Sequence, residues 1–116
     1  MRESPLQQAV RARAAVLGFY LWRNNTGVLE DERGVPVRFG LANDSARVNA
    51  ALKSSDLIGI APDGRFVAIE VKSPDWRGVR NDRERAQETF INLVRRQGGI
   101  AGFVRSMEDA ECLLSG

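Results

Sequence analysis

Residues 54–72 constrain this chain more than any other stretch. Ser54-Ser55-Asp56-Leu57-Ile58-Gly59-Ile60 and Phe66-Val67-Ala68-Ile69-Glu70-Val71-Lys72 are both rich in β-branched and apolar residues, with Pro62-Asp63-Gly64 between them. Two such runs meeting at turn residues predict a β-hairpin. A type I turn closed by a glycine in the left-handed region is a common three-residue connection, and it sets Ala61 opposite Arg65. Counting back from that pair, Asp56 falls opposite Glu70, and Lys72 lies two residues further on the same face. Ile58, Ile60, Phe66 and Ala68 share that face nearer the turn, while Leu57, Val67, Ile69 and Val71 take the other. Both faces are apolar, so the sheet is expected to be covered on both sides, with the three charges at its open end.

Two carboxylates this close repel unless a proton or a cation lies between them. A divalent ion held by Asp56 and Glu70 would polarise a phosphoryl oxygen and acidify a bound water, with Lys72 placed to orient that water or offset growing charge. The backbone carbonyl of Val71 lies edgewise between Glu70 and Lys72 and offers a third oxygen. The alternative is a surface hairpin with an ion pair of little energetic weight. On the residues alone, the two readings stay open.

Composition narrows the chemistry. No histidine occurs, and Cys112 is the sole cysteine. Cys/His zinc sites, intramolecular disulfides and triads with a histidine base are therefore excluded. A metal would need oxygen ligands, which favours magnesium or manganese. Lysine and arginine total 17 against 15 acidic residues, a net charge of +2. All but Lys53 and Lys72 of those cations are arginines, a bias that suits bidentate contacts to phosphate and equally an arginine-rich solvated surface. At 116 residues the chain has the size of one domain. With no apolar run long enough for a span and no signal sequence, it is expected to be soluble and cytoplasmic, with no membrane partner.

The remaining elements can be taken in order. Ser4-Pro5-Leu6-Gln7 resembles a capped helix start, and Leu6, Val10, Ala14 and Leu17 recur at helical spacing until Gly18. Phe19 to Arg23 reads as a strand closed by Asn24-Asn25-Thr26-Gly27. Val35 to Leu41 predicts a short strand, with Pro36 arguing for an edge position, and Asn43-Asp44-Ser45 offers N-cap chemistry to a short helix through Val48 and Leu52. After Ser73-Pro74 and a loop, Asp82 is the expected cap of a long helix to about Gln97, with Ala86, Phe90, Leu93 and Val94 as its stripe. Ile100 to Val104 is a strand, and Ser106 caps a last helix. This order predicts an α/β fold with a mixed central β-sheet flanked by α-helices. Arg77, Arg80, Arg83, Arg95 and Arg96, in or beside the long helix, are candidates for phosphate contacts. Trp76 is either a base-stacking platform or a packed loop aromatic.

Ser-Ser-Asp56 followed by Ile-Glu70-Val-Lys72 resembles the motif of the PD-(D/E)xK nucleases. The wider arrangement is similar to the virus-type replication-repair nuclease (VRR-NUC) subgroup. The similarity spans nearly the whole chain, through Glu3-x-x-x-Gln7, Trp22-Arg23-Asn24-Asn25-Thr26-Gly27, and Gln87-x-x-Phe90-Ile91 leading to Gly98-Gly99. Ser54-Ser55 stands where the family usually shows Gly-Pro or a similar small pair. The resemblance implies a restriction-endonuclease-like core forming one stand-alone nuclease domain over residues 1–116, from a bacterium or a phage. It implies a magnesium- or manganese-dependent, structure-selective endonuclease that hydrolyses DNA, preferably four-way (Holliday) junctions, as a homodimer without a small-molecule cofactor. On that resemblance Asp56 and Glu70 are metal ligands, Val71 the carbonyl ligand and Lys72 the catalytic lysine. Glu3 matches the first-helix acidic residue that completes the site, and Gln87 the glutamine beside it. The competing expectations are a monomeric flap or single-strand nuclease and a non-catalytic nucleic-acid-binding module.

Overall fold

Ser4 starts the first helix as its sequence suggests. In the computed structural model, which describes residues 3–116, the Ser4 hydroxyl accepts from the Gln7 N–H at 3.1 Å, and Pro5 opens helix α1 (Pro5–Val16). The same short polar cap recurs along the chain. Ser45 precedes α2 (Ala46–Ala51), Asn81 precedes α3 (Asp82–Arg96) and Ser106 precedes α4 (Met107–Ser115), each side chain accepting the N–H three residues on. Asn81, not Asp82, is thus the cap of the long helix; Asp82 is its first residue, where a negative charge faces the positive end of the helix dipole. Gly98 stops α3 at φ +90°, with the Gly99 N–H reaching back to Val94 O at 2.9 Å.

The hairpin forms in the expected register. Gly64, at φ +92°, closes the turn, and its N–H donates to Ala61 O at 2.9 Å. Strands β4 (Leu57–Ile60) and β5 (Phe66–Val71) pair antiparallel with Ile60 against Phe66 and Leu57 against Ile69. Strand β1 (Tyr20–Arg23) pairs antiparallel with β4, and β6 (Ile100–Val104) lies parallel to β5, giving a mixed four-stranded sheet of order β1-β4-β5-β6. The parallel pair is joined through α3, as a crossover requires.

Strand alternation divides the core in two. Leu57, Val67 and Ile69 pack with Val10 and Ala14 of α1 and Ala110 and Leu114 of α4. On the opposite face, Ala68 and Ala101 pack with Phe90, Ile91 and Val94 of α3. This two-sided covering is why β5 reads as a nearly continuous apolar run.

One region departs from expectation. The strand expected over residues 35–41 exists as β3 (Pro36–Phe39), but it is no edge of the main sheet. It pairs with β2 (Gly27–Glu30), a strand not expected, in a separate two-stranded ribbon. The ribbon leaves Val28, Leu29, Val37 and Phe39 exposed, so burial does not specify it. Two asparagines do. Buried Asn43 donates its amide to both Gly27 O and Phe39 O at 2.9 Å. Asn24 donates to Ser54 Oγ at 2.8 Å and Ser55 O at 2.9 Å while accepting from the Leu41 N–H, tying the ribbon's base to the approach of β4.

Candidate metal centre and its cleft

Asp56 stands one residue before β4, across from Glu70 on β5. The main chain fixes its carboxylate, because the Val71 N–H donates to Asp56 Oδ2 at 2.9 Å. In a strand, the N–H and C=O of one residue point to the same edge, so the Val71 carbonyl also faces the Asp56 side. Glu70 is buried, and its pKa is pushed up to about 9. Burial is the main cause, followed by its hydrogen bond with Asp56 and the Asp56 charge; Lys72 and Arg83 act in the opposite direction and do not offset them. At neutral pH this favours a Glu70 that keeps its proton and donates it towards Asp56.

Lys72 shares the Glu70 face, but α3 holds its ammonium. Nζ donates to Gln87 Oε1 at 2.7 Å and lies 3.6 Å from Glu84 Oε2. The rings of Trp76 and Phe103 each lie 5.8 Å from it, close enough for cation–π attraction. Trp76 is a packed aromatic, not a free stacking platform. Its ring is 4.7 Å from that of Phe103, and its indole N–H donates to Glu84 Oε2 at 3.2 Å. Burial opposes ionisation of Glu84, yet the bonds from Trp76 and the Arg80 N–H, with the Lys72 and Arg80 charges, bring its pKa below the usual carboxylate range. Gln87, given a role only through the resemblance, thus touches the lysine directly. Glu84 was missed, although Asn81-x-x-Glu84 is readable as a capping box. Here Glu84 Oε1 accepts from the Arg80 N–H at 3.1 Å, and its other oxygen is left for Trp76 and Lys72.

Glu3 is not brought to this site. Its carboxylate takes two bonds from Arg11 Nη1, at 2.9 and 3.0 Å, and lines a separate depression with Arg11, Phe19 and Tyr20. Because α1 begins at Pro5, Glu3 precedes the cap, and Gln7 one turn on is the α1 residue that lines the cleft beside Asp56. Among the described residues, no three acidic or cysteine side chains converge on one point. An ion here would take Asp56, Glu70 and the Val71 carbonyl from the protein.

The donor set fits a hard divalent ion in three respects. Its members are all oxygens, the two carboxylates share one proton that an ion would displace, and the Val71 carbonyl faces the same side. The same cleft wall also contains Ser55, whose buried hydroxyl has no partner among the described residues. An unsatisfied buried hydroxyl costs about 1–3 kcal/mol, so a water or ligand oxygen near it would be favoured.

Asp56, Glu70 and Gln87 open into a cavity of about 530 Å³. Of the five arginines singled out from the sequence, only Arg83 lines it. Arg95 donates through Nε to Ala101 O at 2.8 Å and lines another depression with Trp76, Phe103 and Arg105. Arg77, Arg80 and Arg96 are exposed and outside the cleft. The cleft's other cations, Arg23, Arg38 and Lys53, were missed because they come from separate elements.

A scan of protein-family models finds no match to this chain, and neither does a search of curated proteins. No helix among the described residues is long and apolar enough to cross a membrane.

Proposed function

We propose that this chain is a metal-dependent endodeoxyribonuclease with a restriction-endonuclease-like core, of the VRR-NUC type its motifs resemble. The observation that carries this reading is the placing of two carboxylates, Asp56 and Glu70, opposite each other at the open end of the hairpin, with Lys72 on the same face. A structural ion pair within the hairpin would set Lys72 against Asp56 or Glu70. Here two carboxylates face each other, and the lysine is held separately by Gln87 and Glu84.

In this reading Asp56, Glu70 and the Val71 carbonyl hold magnesium or manganese, which supplies Lewis acidity to a phosphodiester and an acidified water. Asp56 is kept in place by the Val71 N–H. Lys72 offers an ammonium to the phosphate oxygens, where negative charge grows, and Gln87 orients it. The basic cleft admits the DNA backbone, and selection is by DNA structure. By resemblance the preferred substrate is a branched duplex such as a four-way junction, engaged by a homodimer with two sites.

The test is cleavage of linear, flap and four-way DNA with and without magnesium or manganese, alongside mass in solution. Lys72→Ala and Asp56→Asn are expected to abolish metal-dependent cleavage while leaving the fold intact. Cleavage surviving in both variants sinks the enzyme reading. A monomer that prefers flaps or single strands would replace the junction-resolving dimer.

A further inference from the structure

We infer that Arg38, Lys53 and Arg83 form a binding site for the phosphodiester backbone of a nucleic-acid strand, in the cleft that holds Asp56 and Glu70. The inference rests on the nuclease reading only for the choice of nucleic acid as the polyanion.

The three cations come from unconnected parts of the chain. Arg38 is on β3, Lys53 follows α2, and Arg83 is in the first turn of α3, yet all line the same cavity. None forms a salt bridge with a described residue, whereas Arg11, Arg13, Arg65, Arg85 and Arg105 are each matched to a carboxylate. The hydrogen-bond partners of Arg38 and Lys53 are neutral. Arg38 donates through Nε to Asn43 O at 3.1 Å and through Nη2 to Asn43 Oδ1 at 2.8 Å, and Lys53 donates to Asn49 Oδ1. Positive charge is thus fixed in a concave wall without being neutralised.

The free protein bears an electrostatic cost for this arrangement. Burial lowers the pKa of Lys53, and the charges of Arg83 and Arg38 lower it further. Asp56 and Glu70 line the same cavity, but neither is in a salt bridge with these cations, and like charges gathered in excess are relieved by an anion that their field draws in. Arg38 is also preorganised. The asparagine that holds it is buried and bonded to both strands of the ribbon, so little side-chain freedom is lost on binding. Asn43 takes the Nε–Nη2 edge of Arg38, which leaves the Nη1–Nη2 end of the guanidinium for the two free oxygens of a phosphodiester, and such contacts carry no base information. The ribbon then has a purpose that its exposed apolar residues do not reveal: it presents Arg38 to the cleft.

The experiment is anisotropy of a labelled duplex and a labelled four-way junction, bound by the Asp56→Asn protein in EDTA over a salt series. The combined variant Arg38→Gln, Lys53→Gln, Arg83→Gln is expected to bind at least about tenfold more weakly and to lower the slope of log K against log salt by about 3. Arg77→Gln with Arg96→Gln should match the parent. Lys53→Gln and Arg83→Gln singly, which spare the Arg38–Asn43 bonds, should each lower the slope by about 1, so a misfolded triple variant leaves the site testable. Unchanged slopes in those single variants, or a loss confined to the Arg77/Arg96 variant, overturn the proposal. The two readings fail separately. Cleft-dependent binding by a wild-type chain that never cuts DNA keeps this site and removes the nuclease. Metal-dependent cutting with an unaltered KM in the triple variant does the reverse.

Discussion

Replacing Glu70 by glutamine should stabilise the metal-free protein at neutral pH. Glu70 ordinarily titrates near 4.5 and in the fold titrates near 9, so the folded chain holds a proton that the unfolded chain releases between those values. For a raised pKa, the group's contribution to stability is complete below about 4.5 and is lost as pH climbs towards 9, at about 1.36 kcal/mol per pH unit. At about pH 7.5 the loss covers about three units, or about 4 kcal/mol; relaxation around the pair would bring this to between about 2 and 4 kcal/mol. Glutamine keeps a donor towards Asp56 and cannot ionise, so Glu70→Gln avoids the loss. Unfolding entropy of about 2.1 cal/mol/K per residue makes each kcal/mol worth about 4 °C in a chain of 116 residues, a gain of about 8–16 °C. Thermal melts in EDTA across about pH 4.5 to 9 measure this. The gap between variant and wild type should open as pH rises and nearly vanish at the acid end. Manganese should raise the wild-type midpoint and leave Glu70→Gln nearly unmoved, because one ligand is gone. A variant that melts at or below the wild type at about pH 7.5, or a gap independent of pH, refutes the shared-proton account.

Two further substitutions probe the supports of the site. Ile69 is fully buried between α1 and α4, so Ile69→Ala should cost about 2–5 kcal/mol in a urea titration with little change in m-value. Glu84→Gln removes the charge 3.6 Å from Lys72 and should lower kcat by about tenfold while leaving KM unchanged, since Glu84 lies outside the cleft lining. In a Trp22→Phe background the same substitution should shift Trp76 emission, because its indole N–H loses a charged acceptor. An unmoved spectrum with unchanged kcat would show that Lys72 needs no such partner.

What could be read from the sequence follows from which interactions are local. The turn triplet fixes the hairpin register within a few residues, so Asp56 opposite Glu70 was derivable. Ser4, Ser45 and Ser106 announce their helices because a cap bonds three residues on. The ribbon was only half legible, since no buried alternation marks β2 and all but one of the asparagine bonds that hold it span 16 to 31 residues. The arginines illustrate the same limit from the other side. Arg83 and Gln87 are four apart on α3 and face one way, whereas Arg96, nine residues beyond Gln87, falls half a turn round the helix. Helical phase alone would have kept Arg83 and set Arg96 aside, but no periodicity joins Arg38 and Lys53 to them.

The position of the site follows from the same alternation that builds the core. Along one face of β5, Ala68 is dry against α3, Glu70 is buried at the cleft wall, and Lys72 reaches past it to Gln87 and Glu84. The other face carries Val67 and Ile69 into the α1/α4 core, so the strand cannot slip by one residue without forcing both onto the α3 face, where the small Ala68 packs, and turning Glu70 inwards among apolar side chains. Hydrophobic burial on one face therefore sets where the carboxylates stand on the other. Lys72 extends that dependence to α3: it lies four residues beyond Ala68, which packs on Phe90 and Val94, and its ammonium is held by Gln87 and Glu84 of the same helix, so packing of the helix on the sheet fixes the lysine's distance from the pair. A cavity at Phe90 should then disturb Lys72 more than Asp56, whose carboxylate hangs from the main chain of β5.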